Sequence, residues 1–173
     1  MKRGLVMVFT GDGKGKTTAA LGLALRAWGH GMRVLVVQFI KSGAVTTGER
    51  LAAARLGDGF VIKTLGEGFL DKKEIERHRE AAERALAVAR EAVEKGEYDL
   101  VVLDEITHAI NYGLISEEAV LALIAAKQPP VYLVLTGRGA SRALIEPADM
   151  VTEMHNIKHH YQRGVAAQEG IEY

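Results

Sequence analysis

Apolar residues fall in short unbroken runs along this chain, and the runs alternate with stretches in which they recur every three or four positions. Residues 5–10 (LVMVFT), 34–40 (VLVVQFI), 100–103 and 131–136 (VYLVLT) are runs of the first kind and predict buried strands. Residues 60–65 predict a further strand and residues 150–154 a last one. Residues 16–28 (KTTAALGLALRAW), rich in alanine and leucine and stopped by Gly29-His30-Gly31, predict a helix. A short helix is predicted over 48–56, and a long, highly charged one over 71–95, closed by Gly96. Residues 116–127 predict a helix with Ser116 as N-cap and acids in its first turn, and residues 141–146 predict one more helical turn.

Continuous apolar strands separated by helices specify an α/β fold with a mostly parallel sheet of about six strands and helices on both faces. Ligands of such sheets bind beyond the carboxyl ends of the strands. Four segments follow or close strands and are expected on that edge: the glycine-rich loop at 11–18, residues 38–42, Asp104-Glu105 and residues 136–139.

The loop reads Thr10-Gly11-Asp12-Gly13-Lys14-Gly15-Lys16-Thr17-Thr18. Gly15-Lys16-Thr17 supplies the second half of the phosphate-binding pattern G-x-x-x-x-G-K-[ST], while the first glycine is displaced by one place to Gly11. The predicted fold is thus of the P-loop NTPase-like, RecA-like kind. Glycines let backbone N–H groups turn towards phosphate oxygens, the following helix offers its positive end, and Lys16 adds a formal charge. Asp104-Glu105, after LVVL, has the form of the acidic partner element, with Thr17, Glu105 and Asp104 as candidate Mg²⁺ ligands. Gly11, Asp12, Gly13, Lys14, Gly15, Lys16, Thr17 and Thr18 are the candidate ATP-binding residues, and Lys41 and Arg138 lie where they can also reach the nucleotide.

Composition narrows the chemistry. The chain has 173 residues, read as a single domain over 1–173, and no cysteine, which removes disulfides, thiolate nucleophiles and thiolate-held metals. Lysine plus arginine and aspartate plus glutamate number 22 each, a balance that argues against nucleic acid as partner. The apolar run after MKRG is too short for a signal peptide, and nothing approaches the ~20 apolar residues of a membrane span, so the expected location is the cytoplasm with no membrane partner. On these residues alone a P-loop kinase or NTPase, such as a deoxynucleoside kinase, and an ATP-sensing module both stay open. The kinase reading is weakened by the misplaced first glycine and by the missing cysteine-rich zinc lobe.

Longer segments resolve the choice by likeness. TGDGKGKTTAA, GHGMRVLVVQFIK, TGER at 47–50, VVLDEIT at 101–107, LTGRGASRALIEPADMVTEM at 135–154 and the closing IKHHYQRGVAAQEGIEY resemble the corrinoid adenosyltransferases of the cobalamin-synthesis P-loop type along nearly the whole chain. The resemblance implies transfer of the 5′-deoxyadenosyl group of ATP to the Co(I) centre of a corrinoid, with triphosphate released and ATP held reversed in the loop. It implies ATP as cosubstrate, Mg²⁺ (or Mn²⁺) as metal, a homodimer, and a reduced flavoprotein as electron donor. On that reading Lys16, Lys14, Thr17 and Glu105 carry the chemistry, with Thr17 and Glu105 as the first metal ligands and Asp104 as the alternative or as a ligand acting through water. Enterobacterial members have an N-terminal extension covering the site; this sequence starts directly at the first strand, so a cover is expected from elsewhere or not at all. Those members also carry a G-F-x-W segment under the corrin. Here it reads Gly68-Phe69-Leu70-Asp71, so Phe69 is the candidate corrinoid contact and Asp71 replaces the tryptophan. His155, His159 and His160 are read as surface or hydrogen-bonding histidines without an acid partner, and Trp28 as a core residue.

Overall fold

A computed structural model of the chain describes residues 3–44, 46–68 and 70–172; the side chain of Lys72 is outside that description. Six strands form one sheet: β1 (Val6–Thr10), β2 (Val34–Ser42), β3 (Phe60–Gly66), β4 (Leu100–Asp104), β5 (Tyr132–Thr136) and β6 (Met150–Glu153). Their order is β3-β2-β4-β5-β1-β6 and every pairing is parallel, so β5 stands between the strand that leads into the glycine loop and the strand that ends in the acid pair.

Side chains alternate across a strand, so the apolar runs supply two cores at once. Val6 and Val8 of β1, Leu35 and Val37 of β2, Val101 and Leu103 of β4, and Leu133 and Leu135 of β5 face one layer of helices. Met7, Phe9, Val34, Val36, Leu100, Val102 and Val134 face the other. Fully burying each such valine or leucine stabilises by about 1.5–3 kcal/mol, and a one-residue slip would exchange the two sets.

On the second face lies helix α1 (Lys16–Gly29), which buries Ala20, Ala24 and Ala27 at helical spacing, with α2 (Gly48–Leu56) beside it through Ala53. Trp28 is half-buried at the rim of that core rather than inside it. On the first face lie α3 (Ile75–Lys95), α4 (Ile106–Asn111) and α5 (Glu117–Ala126). The charged sequence of α3 is one-sided. Its buried stripe is His78, Ala81, Ala82, Ala85, Leu86, Ala89, Ala92 and Val93, and its outer face is laced by pairs such as Arg79–Glu76 and Lys95–Glu91. A short helix, α6 (Arg142–Ile145), precedes β6. Among the described residues no helix is long and apolar enough to cross a membrane.

Two elements depart from the pattern read in the sequence. The helix predicted from residue 71 begins at Ile75, because the Asp71 carboxylate accepts the Lys73 N–H at 2.9 Å and closes a 3₁₀ turn first. Helix α4 is not anticipated by the pattern at all. It starts within one residue of β4, at Glu105, whose left-handed backbone (φ 60°) makes the turn without a glycine or a side-chain cap.

Candidate active site

β1 delivers the chain into the loop at the carboxyl edge of the sheet, and α1 starts immediately after it. Gly15, at the N-cap, has φ 118°, and the first turn of α1 carries no acid, so its amide groups face the loop without a competing carboxylate. Lys16 lies back along the loop, its Nζ donating to Gly11 O and Gly13 O at 2.6 Å each. Burial holds the Lys16 ammonium below its usual pKa and Arg138 adds to this; Glu105 and Asp12 oppose them.

Two acids meet this loop differently. Asp104, at the end of β4 and almost wholly buried, accepts a hydrogen bond from Thr17 Oγ1 on Oδ1 at 2.8 Å, and another from Thr136 Oγ1 on the same oxygen at 2.8 Å. Its second oxygen, Oδ2, is buried with no hydrogen-bond partner. An unpartnered carboxylate oxygen beside a threonine hydroxyl is the donor set that a hard cation such as Mg²⁺ takes, so the residues present fit one. Glu105 lies beside the cavity, its carboxylate 3.6 Å from His108 Nδ1. Burial raises its pKa and Asp104 raises it further, against the pull of His108, Lys41 and Lys16. Asp104 is therefore the acid in contact with Thr17, and Glu105, the first metal-ligand candidate of the sequence, lines the cavity.

The cavity bounded by these groups has a volume of about 800 Å³. Residues 12–18 line it together with Lys41, Glu105 and Arg138, while Gly11 and Asp104 stand behind its wall. Lys41 is already paired: Glu49 Oε1 of α2 accepts from it at 2.6 Å and from Gln38 Nε2 at 3.2 Å. The Arg138 main chain is clamped, its carbonyl accepting from Thr107 Oγ1 at 2.7 Å and Asn111 Nδ2 at 3.1 Å, both on α4. Gly137 before it has φ 139°, and a Cβ there would collide with the Thr107 hydroxyl. Phe69, the expected corrinoid contact, lies outside the described residues; its neighbour Leu70 lines the cavity. His108 on α4 and Tyr112 at its C-cap also reach it; they were missed because α4 itself was.

A further wall comes from the residues after β6. Gly13 N donates to Met154 O at 2.7 Å, and a Cβ on Gly13 would stand 2.8 Å from that carbonyl oxygen. The glycines of the loop therefore serve a close backbone approach from this segment as well as any phosphate. Farther on, Glu172 pairs with Lys14 at 3.2 Å and with His160 Nε2 at 3.2 Å. This corrects the expectation that the terminal histidines have no acid partner: that of His160 is twelve residues away in sequence and chain folding brings it back, and His155 lies 3.6 Å from Glu153. Burial pushes the Glu172 carboxyl up, but Lys14 and His160 outweigh it and hold it below its ordinary value. His159, His160 and Glu172 bring donor atoms within 4.8 Å of one another. With the Lys14 ammonium on the same carboxylate, the group acts as a clasp between the terminal segment and the loop.

A family model described as ATP:corrinoid adenosyltransferase BtuR/CobO/CobP matches residues 2–173. A corrinoid adenosyltransferase of Pseudomonas aeruginosa is 42% identical over 173 residues, covering 99% of this chain and 85% of the relative. One from Sinorhizobium sp is 43% identical over 175 residues (99% and 81%), and one from Escherichia coli strain K12 is 39% identical over 172 residues (99% and 87%).

Proposed function

The chain belongs to the ATP:corrinoid adenosyltransferase family, and from that premise we propose how its own residues carry the transfer. The enzyme moves the 5′-deoxyadenosyl group of ATP to the cobalt of a corrinoid. Cobalt of the substrate, reduced to Co(I), attacks C5′; a cobalt–carbon bond forms, the C5′–O bond breaks, and triphosphate leaves with the bonding pair. Co(I) is itself the nucleophile, so the protein supplies no serine, cysteine or general base. Its work is to align C5′ for in-line attack and to stabilise the charge of the departing triphosphate.

The observation that carries this reading is the gathering of donors on the wall of the cavity. Lys16, Lys14, Arg138 and the amide groups at the start of α1 surround the place where the leaving charge accumulates. Such preorganised donors contribute about 10²–10³-fold in rate apiece. Thr17 and Asp104 would hold Mg²⁺, or Mn²⁺ in its stead, with Glu105 beside them. When bound, the cation neutralises charge on the triphosphate. Leu70 and Phe69 belong to the corrinoid side on this reading, and Lys41 reaches ATP from its pair with Glu49. The same reading takes residues 1–173 as one domain, working in the cytoplasm as a homodimer supplied with electrons by a reduced flavoprotein; the homodimer and the flavoprotein rest on family likeness.

Mixing the protein with ATP, Mg²⁺ and a chemically reduced corrinoid is expected to yield the adenosylated corrinoid and triphosphate in equal amounts. Release of ADP and phosphate, with no cobalt–carbon absorbance change, would overturn the assignment.

A further inference from the structure

Thr136, the last residue of β5, is fully buried, and nothing in the chemistry of transfer requires it to touch a substrate. Its single hydroxyl is nonetheless used in both senses. It donates to Asp104 Oδ1 at 2.8 Å and accepts the backbone N–H of Glu105 at 2.9 Å. Sheet order makes this possible. β5 is the neighbour of β4, Leu103 pairs with Leu135, and the next residue on each strand is Asp104 and Thr136.

We propose that Thr136 is the positioning residue of the metal–triphosphate site, a single hydroxyl that sets both acids at once. The inference rests on the reading of Thr17 and Asp104 as cation ligands. By occupying Oδ1 together with Thr17, Thr136 fixes the rotation of the Asp104 carboxylate, and with it the oxygen on which the cavity-lining Thr17 hydroxyl rests, while Oδ2 stays without a hydrogen-bond partner. By accepting from Glu105 N, it holds the one non-glycine residue with positive φ among those described. That turn is what sends the chain from β4 into α4 and the Glu105 side chain to the cavity. A left-handed glutamate persists only where its surroundings over-determine it, and Thr136 is the side-chain group seen to do so. Thr17 stands in the first turn of α1 and lines the cavity; Thr136 belongs to the central sheet and lies behind it, fully buried.

Thr136→Val keeps the shape and removes the hydroxyl; Thr136→Ser keeps the hydroxyl and removes a methyl. Mn²⁺ binding in the presence of ATP is followed by the loss of the free-ion electron paramagnetic resonance signal, and metal-free ATP binding by calorimetry. Thr136→Val is expected to weaken Mn²⁺ binding at least tenfold with metal-free ATP affinity within about twofold of wild type, and Thr136→Ser to restore Mn²⁺ binding to within about threefold. Asp104→Asn is the companion variant. If it weakens Mn²⁺ binding while folded Thr136→Val does not, the positioning role is overturned and the metal site stands. If neither variant weakens Mn²⁺ binding, the metal reading falls, and the role of Thr136 with it. Should Thr136→Val fail to fold, the serine variant decides: retained Mn²⁺ binding supports the role, and a folded serine variant with tenfold weaker binding overturns it.

Discussion

Glu49 sits where three elements meet, and its ionisation is tied to all of them. Thr64 of β3 donates to Gln38 Oε1 at 2.7 Å, Gln38 donates to Glu49, and Lys41 donates to the same Glu49 oxygen. Burial on its own would raise the Glu49 pKa, but the hydrogen bonds and charge of Lys41 outweigh it, and the carboxyl lies below its ordinary value. A carboxylate depressed in the folded state adds stability above its unfolded pKa, about 4.3, and that stability is lost as pH falls through the folded value. Glu49→Gln is therefore expected to be about 1–2 kcal/mol less stable than wild type from neutral pH down to about 5. The gap should close steadily at lower pH. Urea unfolding of both proteins between pH 3 and 7 measures it, and a gap independent of pH would show that the pair contributes no ionic stabilisation. Lys41 would also lose its partner, so the variant tests how firmly the pair holds Lys41 at the cavity wall.

Between β3 and α3 the chain is pinned at several points, and this is the element-scale counterpart of the acid pair. Gly68 N donates to Ile40 O at 2.8 Å, Glu67 pairs with Arg77 at 2.8 Å, and the backbone N–H of Asp71 donates to Nε2 of buried His78 at 3.2 Å. His78→Ala would leave that N–H without its acceptor, at a cost of about 1–3 kcal/mol. The expected result is a melting temperature lower by several degrees and faster amide exchange confined to residues 66–74; uniform loosening of the sheet would contradict it. The strands were legible because parallel strands are buried on both faces and so read as unbroken apolar runs, as in 34–37 and 100–103. Helix α4 was not, because six residues hold too few turns for a period to show, and its start depends on Thr136 in a distant strand. In the same way Lys16, Thr17 and the acid pair were legible as a motif of local spacing. The choice of Asp104 over Glu105 as the contact of Thr17 was not, since it turns on which way a strand end rotates. The partner of His160 was hidden for the plainer reason that it follows a change of chain direction.

On the scale of the whole molecule the cavity has walls of two kinds. One is built by the carboxyl ends of β1, β2, β4 and β5, rigid because both cores clamp the sheet. The other is the segment after β6, which supplies Asn156, His159, Tyr161, Gln162 and Glu172 to the cavity and no residue to either core. Its holds on the body are polar: Met154 O on Gly13, and Glu172 on Lys14. A wall attached this way opens at little cost to the fold. Shortening the chain after residue 156 separates the two walls. Because no core residue is removed, the melting temperature is expected to stay within about 4 °C of wild type, the shift that about 1 kcal/mol produces at this size. Adenosyl transfer should instead fall at least a hundredfold, since alignment of C5′ and corrinoid depends on a closed site. Scanning calorimetry with a turnover assay reads both numbers. A shortened protein that melts far below wild type would make the segment part of the fold, and one that retains turnover would make it dispensable to the site.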